Sequence, residues 1–405
     1  MARTAEKKLA PWRRPVAVLT VSHAVQHLYN SGIALTYPFV IVAFHTSYTT
    51  LGIYLTISGV LGGLLQGATW LVRKRSTRSV LGVQNVGLAV AVAAAGASGT
   101  LGLFGLARVF SALVYWPQHP LGSAYLTNRY PKRKGSVLAW HTTGGTIGTM
   151  AVPILLSVAI AAFGWRDALY LLAIPLALGG IYVATALARD RVDEEEHEVP
   201  ARPLSAQIRA LANRSSATVL VASVISAAGR GLGVLAAYVP AFLHHQKTLS
   251  TIDIGVVFTI MSVGGIAGPL FAGWLADRIG KRVALLGTYV IGAIMIAAFM
   301  LVGSSMLALS VMALLVGIFT YSESPLLQAM FADTVNPAES RQAFGLFFAI
   351  AFGIGSFWLF AIGLLIDKAG FHAAFYAIAA SFAVAALVIA TLPRAKGVAS
   401  PVATA

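Results

Sequence analysis

Apolar stretches of about twenty residues recur along the whole chain, each long enough to cross the roughly 30 Å hydrocarbon core of a bilayer as a helix. Short breaks rich in charge or in turn residues separate them. The pattern predicts twelve spans, at 15–42, 51–72, 80–97, 101–125, 136–163 and 168–187, then 217–243, 254–276, 283–302, 306–331, 343–366 and 371–392. Repeated stretches of this length point to one helical bundle in lipid, so the expected class is an all-α membrane protein.

Composition agrees with lipid as the main solvent, because 58% of the 405 residues are hydrophobic and 11% are charged, against about a quarter charged in soluble domains. The absence of cysteine removes disulfides and thiolate metal sites. A formal charge of +15 would suggest nucleic acid if it formed a patch, but it does not. Of the 29 Lys and Arg, all except Arg108, Arg166, Arg230, Lys247 and Lys368 fall in the N-terminal arm, the even-numbered connections or the tail. That asymmetry predicts cytoplasmic N- and C-termini in a multi-pass inner-membrane protein and explains the charge without nucleic acid. The basic arm 1–14 runs into an apolar span too long for a signal-peptide core, with no small-residue cleavage site after it, so the first helix is expected to be retained.

Between the sixth and seventh spans the chain turns polar, with the acidic run 193–198 followed by Pro200 and Pro203. This reads as a solvated linker at 189–216 between an N-terminal six-helix bundle, 1–188, and a C-terminal one, 217–405. The halves repeat weakly at a spacing near 205 residues. Tyr37 and Pro38 correspond to Tyr238 and Pro240, and Gly52 through Trp70 to Gly255 through Trp274. His119 and Pro120 correspond to Ser324 and Pro325, and Gly164, Trp165 and Arg166 to Gly370, Phe371 and His372. Such matches in one order are what duplicated parallel units leave behind.

Formal charge inside the spans is confined to Arg108, Arg230 and Glu323. Facing lipid, each would cost about 2.5–3.5 kcal/mol on insertion scales, so each is expected to face the bundle interior or a wet cavity. His23, His27 and Asn30 share one face of span one, and Arg108, Tyr115 and His119 are spaced to share one face of span four. Ser223, Ser226 and Arg230 repeat the pattern in span seven. These spans and span ten, which carries Glu323, hold equivalent places in the repeat, which predicts one central cavity. Arg108 and Arg230 are expected to hold negative charge on a cargo, with His23, His27, Asn30, Tyr37, Tyr115, His119 and Tyr238 lining the site. Glu323, as the single carboxylate within a span, is the candidate for proton exchange, and His119 with the other intramembrane imidazoles, including His141, is a competing relay. An Arg230–Glu323 ion pair of purely structural role is the bland alternative. His23 and His27, one turn apart, have the spacing of a metal-binding pair, but no acid or cysteine accompanies them, and no metal or cofactor is expected. Gly144, Gly145 and Gly148 before Pro153, and Gly353 with Gly355, mark places where helices approach closely and slide.

The run from Gly273 to Arg282 resembles the loop between the eighth and ninth spans of the major facilitator superfamily. The resemblance implies two pseudo-symmetric six-helix bundles and a latch of Asp277, Arg278 and Arg282 on neighbouring helix ends, with Arg73 and Lys74 standing where the acid of the first-half counterpart belongs. A closer likeness is to the fosmidomycin-resistance type of efflux protein, carried by His119-Pro120-Leu121-Gly122-Ser123, Ser22-His23 and Tyr37-Pro38. Leu121 and His27 stand where that type carries acids.

The resulting expectation is a monomeric, proton-driven exporter of a small anionic or amphiphilic compound, working by alternating access, with an importer or exchanger of a carboxylate or phosphonate as the alternative. Neither a Gly-x-Ser-x-Gly elbow nor a His-Glu-x-x-His pair occurs, and no soluble receptor domain stands between the spans, so an enzyme is not expected.

Overall fold

The computed structural model describes residues 13–66, 68–72, 75–187, 208, 211, 213–231, 233–336 and 340–392. All regular structure among them is helical. Most of the proposed linker, and Arg73 and Lys74 of the first-half loop, lie outside the described residues.

Each predicted span has its helix, though several are broken. Span one is Arg13–Gly32, a 3-10 turn at Ile33–Thr36 and Tyr37–Ala43. Spans two and three are Tyr48–Gln66 and Thr77–Gly96. Span four, expected to be continuous, is Leu101–Tyr115 and Gln118–Arg129, interrupted at Trp116 and Pro117 because proline removes a backbone donor. Spans five and six form Lys134–Ala186, divided at Gly164. Span seven breaks into Arg214–Ile225, a 3-10 turn at Ser226–Ala228 and Val234–His245. Its break falls on Gly229, Gly231 and Gly233, which lower helix propensity, and the freed Gly231 amide donates to the Thr320 carbonyl of span ten (3.1 Å). Spans eight to ten are Thr251–Ile279, Lys281–Leu301 and Met306–Ala332. Span eleven contains Ser340–Phe348, a π-helical turn at Ala349–Gly353, a 3-10 turn at Ile354–Ser356 and the start of Phe357–Ala390, whose remainder after Gly370 is span twelve.

The internal repeat is visible in the backbone itself. Gly164 (φ 84°, ψ 163°) and Gly370 (φ 80°, ψ 174°) adopt the same positive-φ conformation at equivalent junctions. Only glycine takes it without strain, so each junction reverses the chain within a residue or two.

The halves meet most tightly at the face that carries the junctions one–two, five–six, seven–eight and eleven–twelve, called distal below. There Asp367, at the end of span eleven, accepts hydrogen bonds from the Tyr48 and Thr49 amides (3.1 and 2.7 Å) and from Thr49 Oγ1 (2.5 Å), capping span two of the other half. The Tyr48 ring lies 5.4 Å from Phe371 and 6.2 Å from both Tyr238 and His245. Spans two and eleven then run together along a seam where Gly52, Gly59 and Gly63 lie against Leu359, Ser356 and Gly353, so close that a methyl group at any of the three would collide. Thr56 ties the seam by donating to the Ser356 carbonyl and accepting from the Phe360 amide (3.1 Å each). Spans five and eight touch through Ser157 and Gly255 near the same face.

Candidate functional site

Two separate polar centres are buried in the bundle. The C-terminal half holds Glu323 on span ten, fully buried, and Arg230 at the break of span seven, 6% exposed. Arg230 Nε donates to Glu323 Oε2 (2.9 Å) and Nη2 to Oε1 (3.2 Å), the two-pronged geometry that suits guanidinium and carboxylate. Nη2 also reaches the Ser223 carbonyl (2.9 Å) and Ser223 Oγ (3.1 Å). Ser226 donates a short hydrogen bond to Glu323 Oε1 and accepts one from Tyr289 OH (3.1 Å). The 3-10 turn and the glycine-rich break in span seven are what bring Ser226 and Arg230 to the same carboxylate. Every partner in this centre is matched, and its outer wall is the Phe352 ring, 5.2 Å beneath the guanidinium. Phe352 immediately precedes the Gly353 that packs on Gly63, so the pair sits directly behind the seam between halves.

The centre in the N-terminal half is a cluster of four imidazoles. His23 and His27 of span one, His119 of span four and His141 of span five gather with ring centroids 4.3–5.7 Å apart in four pairings. Glycines on span five make the room: a side chain on Gly145 would meet the His23 and His27 rings, and Gly144 and Gly148 lie against the Thr20 and Ala24 carbonyls of span one. His23 Nδ1 donates to the His141 carbonyl oxygen (2.7 Å), and His27 Nδ1 lies 2.8 Å from Thr149 Oγ1. The Nε2 atoms of His23 and His27, and both ring nitrogens of His141, are buried with no hydrogen-bond partner. Such groups are uncommon in a folded interior, and each calls for a physical explanation.

Beside the imidazoles lies a network of uncharged side chains that the sequence reading passed over. Ser22 Oγ donates to Gln118 Oε1 (3.1 Å), Asn85 Nδ2 to Ser22 Oγ (3.0 Å) and Gln84 Nε2 to Gln118 Oε1 (3.3 Å). Gln26 Nε2 donates to the Tyr115 carbonyl at the break of span four (3.0 Å). Amides carry no formal charge, so a search for charge inside spans does not find them.

Other candidate residues are distributed differently from the single shared face expected. Arg108 does not join His119: Nη1 donates to Ser111 Oγ (3.3 Å), and the guanidinium stands 5.2 Å from the Tyr29 ring. Eleven residues along a helix span about 16 Å, and the break at Pro117 resets the face between them. Tyr29 also bonds Ser111 through a short contact, and its ring lies 5.9 Å from Tyr115. Asn30 is half-buried and has no hydrogen-bond partner among the described residues. Tyr37 and Tyr238 are buried in the distal seal rather than on a cavity wall, with the Tyr238 hydroxyl donating a short hydrogen bond to the Leu359 carbonyl.

With both centres placed, the chain was compared with known proteins. The family model described as the Major Facilitator Superfamily matches residues 19–358 and again 219–404. The chain belongs to the Major Facilitator Superfamily. It is a transporter of small solutes and not an enzyme. A protein described as a "probable hexose phosphate transport protein" of Chlamydia trachomatis is 24% identical over 371 residues, covering 83% of this chain and 78% of that one. The arabinose-proton symporter of Escherichia coli is 30% identical over 111 residues, 27% of this chain and 23% of the symporter. Among solved structures, the nucleoside transporter NupG superposes with a TM-score of 0.74 at 13% identity, covering 94% of this chain and 98% of that one. An inward-facing, unoccupied bacterial homologue of the human lysosomal transporter Spinster gives 0.72 at 16% identity, covering 94% and 95%. At those identities the structures speak for the fold. The fosmidomycin-resistance likeness rests on the motif residues alone.

The superfamily loop after span eight divides the residues expected to latch, because Arg282 reaches another helix and Asp277 and Arg278 do not among the described residues. Asp277 is exposed and makes no hydrogen bond or ion pair among the described residues, while Arg278 stacks on Trp274 of its own helix at 3.7 Å. The inter-helix ties come from Lys281 and Arg282. Lys281 Nζ pairs with Asp333 (2.7 Å) at the end of span ten, and Arg282 Nη2 donates to the Ala390 carbonyl (2.7 Å) at the end of span twelve. Lys281 was missed because the motif directs attention to its acid.

Proposed function

We propose that this superfamily member is a proton-coupled exporter of a small anionic or amphiphilic organic compound, working by alternating access between its two halves. The observation that carries this reading is the Arg230–Glu323 pair behind the seam of spans two and eleven. A buried guanidinium is released from its carboxylate only when something replaces the negative charge, since an unpaired buried ion costs several kcal/mol. Protonating Glu323 provides that release. When that freed Arg230 holds an anion, proton and anion are bound together and cross in the same direction, which serves the importing reading below. In export, Glu323 takes its proton from the distal side as cargo leaves and loses it to the cytoplasm when the halves return and the pair re-forms. Movement at the Gly353–Gly63 contact shifts Phe352 and opens the way to the pair, which links the proton step to the rocking of the halves. The Tyr37 and Tyr238 region acts as the distal gate, and the chain works as a monomer in the inner membrane with its termini cytoplasmic.

A second reading is an importer or exchanger of an organic anion such as a carboxylate or phosphonate. The printed name of the chlamydial relative, a carrier of an organic phosphate, supports it, and both readings place the anion on Arg230. Proteoliposomes with an imposed pH gradient and a panel of organic anions separate the two through the sign of the gradient that drives uptake. Glu323→Gln is expected to abolish the dependence of transport on that gradient while leaving counterflow. Full pH-dependent transport in Glu323→Gln removes the glutamate from the mechanism.

A further inference from the structure

The imidazole cluster of the N-terminal half has a geometry that the exporter reading does not use. His23 and His27 are 3% and 8% exposed, so both are more than nine-tenths buried, yet their Nε2 atoms find no partner. The one ligand atom offered by each of His23, His27 and His119 lies within 4.8 Å of the other two. Three nitrogens on one tetrahedral ion with bonds near 2.05 Å sit about 3.3 Å apart, so an inward movement of about 1 Å per ring assembles them.

The surrounding contacts favour a metal over a water or an anion. A backbone carbonyl only accepts, so the bond from His23 Nδ1 to the His141 carbonyl fixes the proton on Nδ1 and leaves the Nε2 lone pair free. Thr149 holds the corresponding nitrogen of His27. One ring nitrogen anchored to an oxygen and the other left bare is the outer-shell arrangement of a metal-ligating histidine. The cluster is also built across three helices, with span five supplying the anchors and the small Gly145 that admits the rings. His119 is exposed and gives an approach to the two buried rings. Neutral imidazoles without a carboxylate suit a borderline ion of the zinc, cobalt or nickel kind and not calcium or magnesium.

We infer that His23, His27 and His119 form a binding site for one divalent transition-metal ion, with a fourth coordination position open to water or to an anionic group. Spacing along span one alone offered a pair, and the third ligand from span four makes it a site. This goes beyond the exporter reading and does not depend on it, since the test reads binding and not transport.

The full-length chain, purified in detergent with any affinity tag removed, is titrated with Co²⁺ and followed by its visible absorption, then with Zn²⁺ as competitor. One equivalent of Co²⁺ is expected to give the intense bands of a low-coordinate imidazole complex, and Zn²⁺ to abolish them. His119→Gln is expected to weaken binding at least about tenfold, and the triple His23→Gln, His27→Gln, His119→Gln variant to lose it. Thr149→Val, which keeps all three ligands, is expected to weaken it by about 10-fold or more through His27. His197→Gln and the His244→Gln, His245→Gln pair leave it unchanged. Absence of the bands in the wild-type chain, their persistence in His119→Gln at unchanged affinity, or their loss in His197→Gln overturns the site. Each variant is compared at matched melting temperature, so loss through misfolding is scored separately by the unfolding curve.

Discussion

The two polar centres occupy related halves, but they differ in how completely their hydrogen bonds are matched. Around Glu323, two side-chain nitrogens of Arg230, the Ser226 hydroxyl and the Tyr289 hydroxyl account for one another. Around His23 and His27, ring nitrogens are buried and bare. A matched centre holds its geometry until a proton or competing ion breaks it, and truncating one partner exposes the other to the full cost of desolvation. An unmatched centre bears that cost already in the resting protein, so removing one of its members relieves it. The contrast predicts opposite responses to mutation.

The sharpest test is Glu323→Ala. It leaves Arg230 buried without its counter-ion, and unfolding in detergent should show destabilisation by about 3–5 kcal/mol, as expected when one partner of a buried pair is lost. The double variant Arg230→Met, Glu323→Leu removes both charges at similar volume and should recover most of that loss while abolishing pH-dependent transport. If Glu323→Ala melts like the parent, the pair is wet or loosely held, and the contrast between the centres disappears.

A smaller effect is expected at the seam that separates the centres. Asp367 accepts from two amides and a hydroxyl of the opposite half, and charge-assisted hydrogen bonds contribute about 1.5–3 kcal/mol. Asp367→Ala should therefore shift the population away from the sealed distal face by at least about tenfold. Because the chain contains no cysteine, a single Ala34→Cys, buried while the distal face is sealed, reports that shift through its labelling rate from the distal side. Gly59→Val should move the equilibrium the same way, since its side chain has no room against Ser356. Unchanged labelling in both variants would show that the distal closure does not depend on this seam.

What could be read in the sequence, and what could not, follows from the same physics. The spans were legible because hydrocarbon tolerates no unsatisfied backbone, so each crossing must be a long apolar helix. The Gly164 and Gly370 junctions were legible as a repeat, and their matching positive φ explains why glycine stands at both. The ion pair was legible as an alternative, because intramembrane charges seek each other. The face of span four was misread because periodicity assumes an unbroken helix and Pro117 interrupts it, whereas Ser223, Ser226 and Arg230 of span seven meet around one carboxylate despite the glycines that break that span. The amide network of Ser22, Gln84, Asn85 and Gln118 was invisible to a search for charge. Residues His23 and His27 showed their spacing, but the convergence of His119 and His141 on them is a property of three packed helices that no single-helix pattern contains.

The smallest expected effect completes the comparison from the other side. His141 is buried, stacks on His23 at 4.3 Å with planes 22° apart, and has no partner on either ring nitrogen. Phenylalanine keeps the ring and the stacking while removing two unsatisfied polar atoms, and the backbone carbonyl that anchors His23 is untouched by the change. His141→Phe should therefore leave the unfolding free energy within about 1 kcal/mol of the parent, with stabilisation the favoured direction. Thermal unfolding in the metal-free protein measures it, and the metal site as drawn from His23, His27 and His119 should survive the substitution. A loss of several kcal/mol, comparable with Glu323→Ala, would mean that the imidazole nitrogens are matched after all, through water in the cluster, and that both halves of the molecule hold closed polar centres of the same kind.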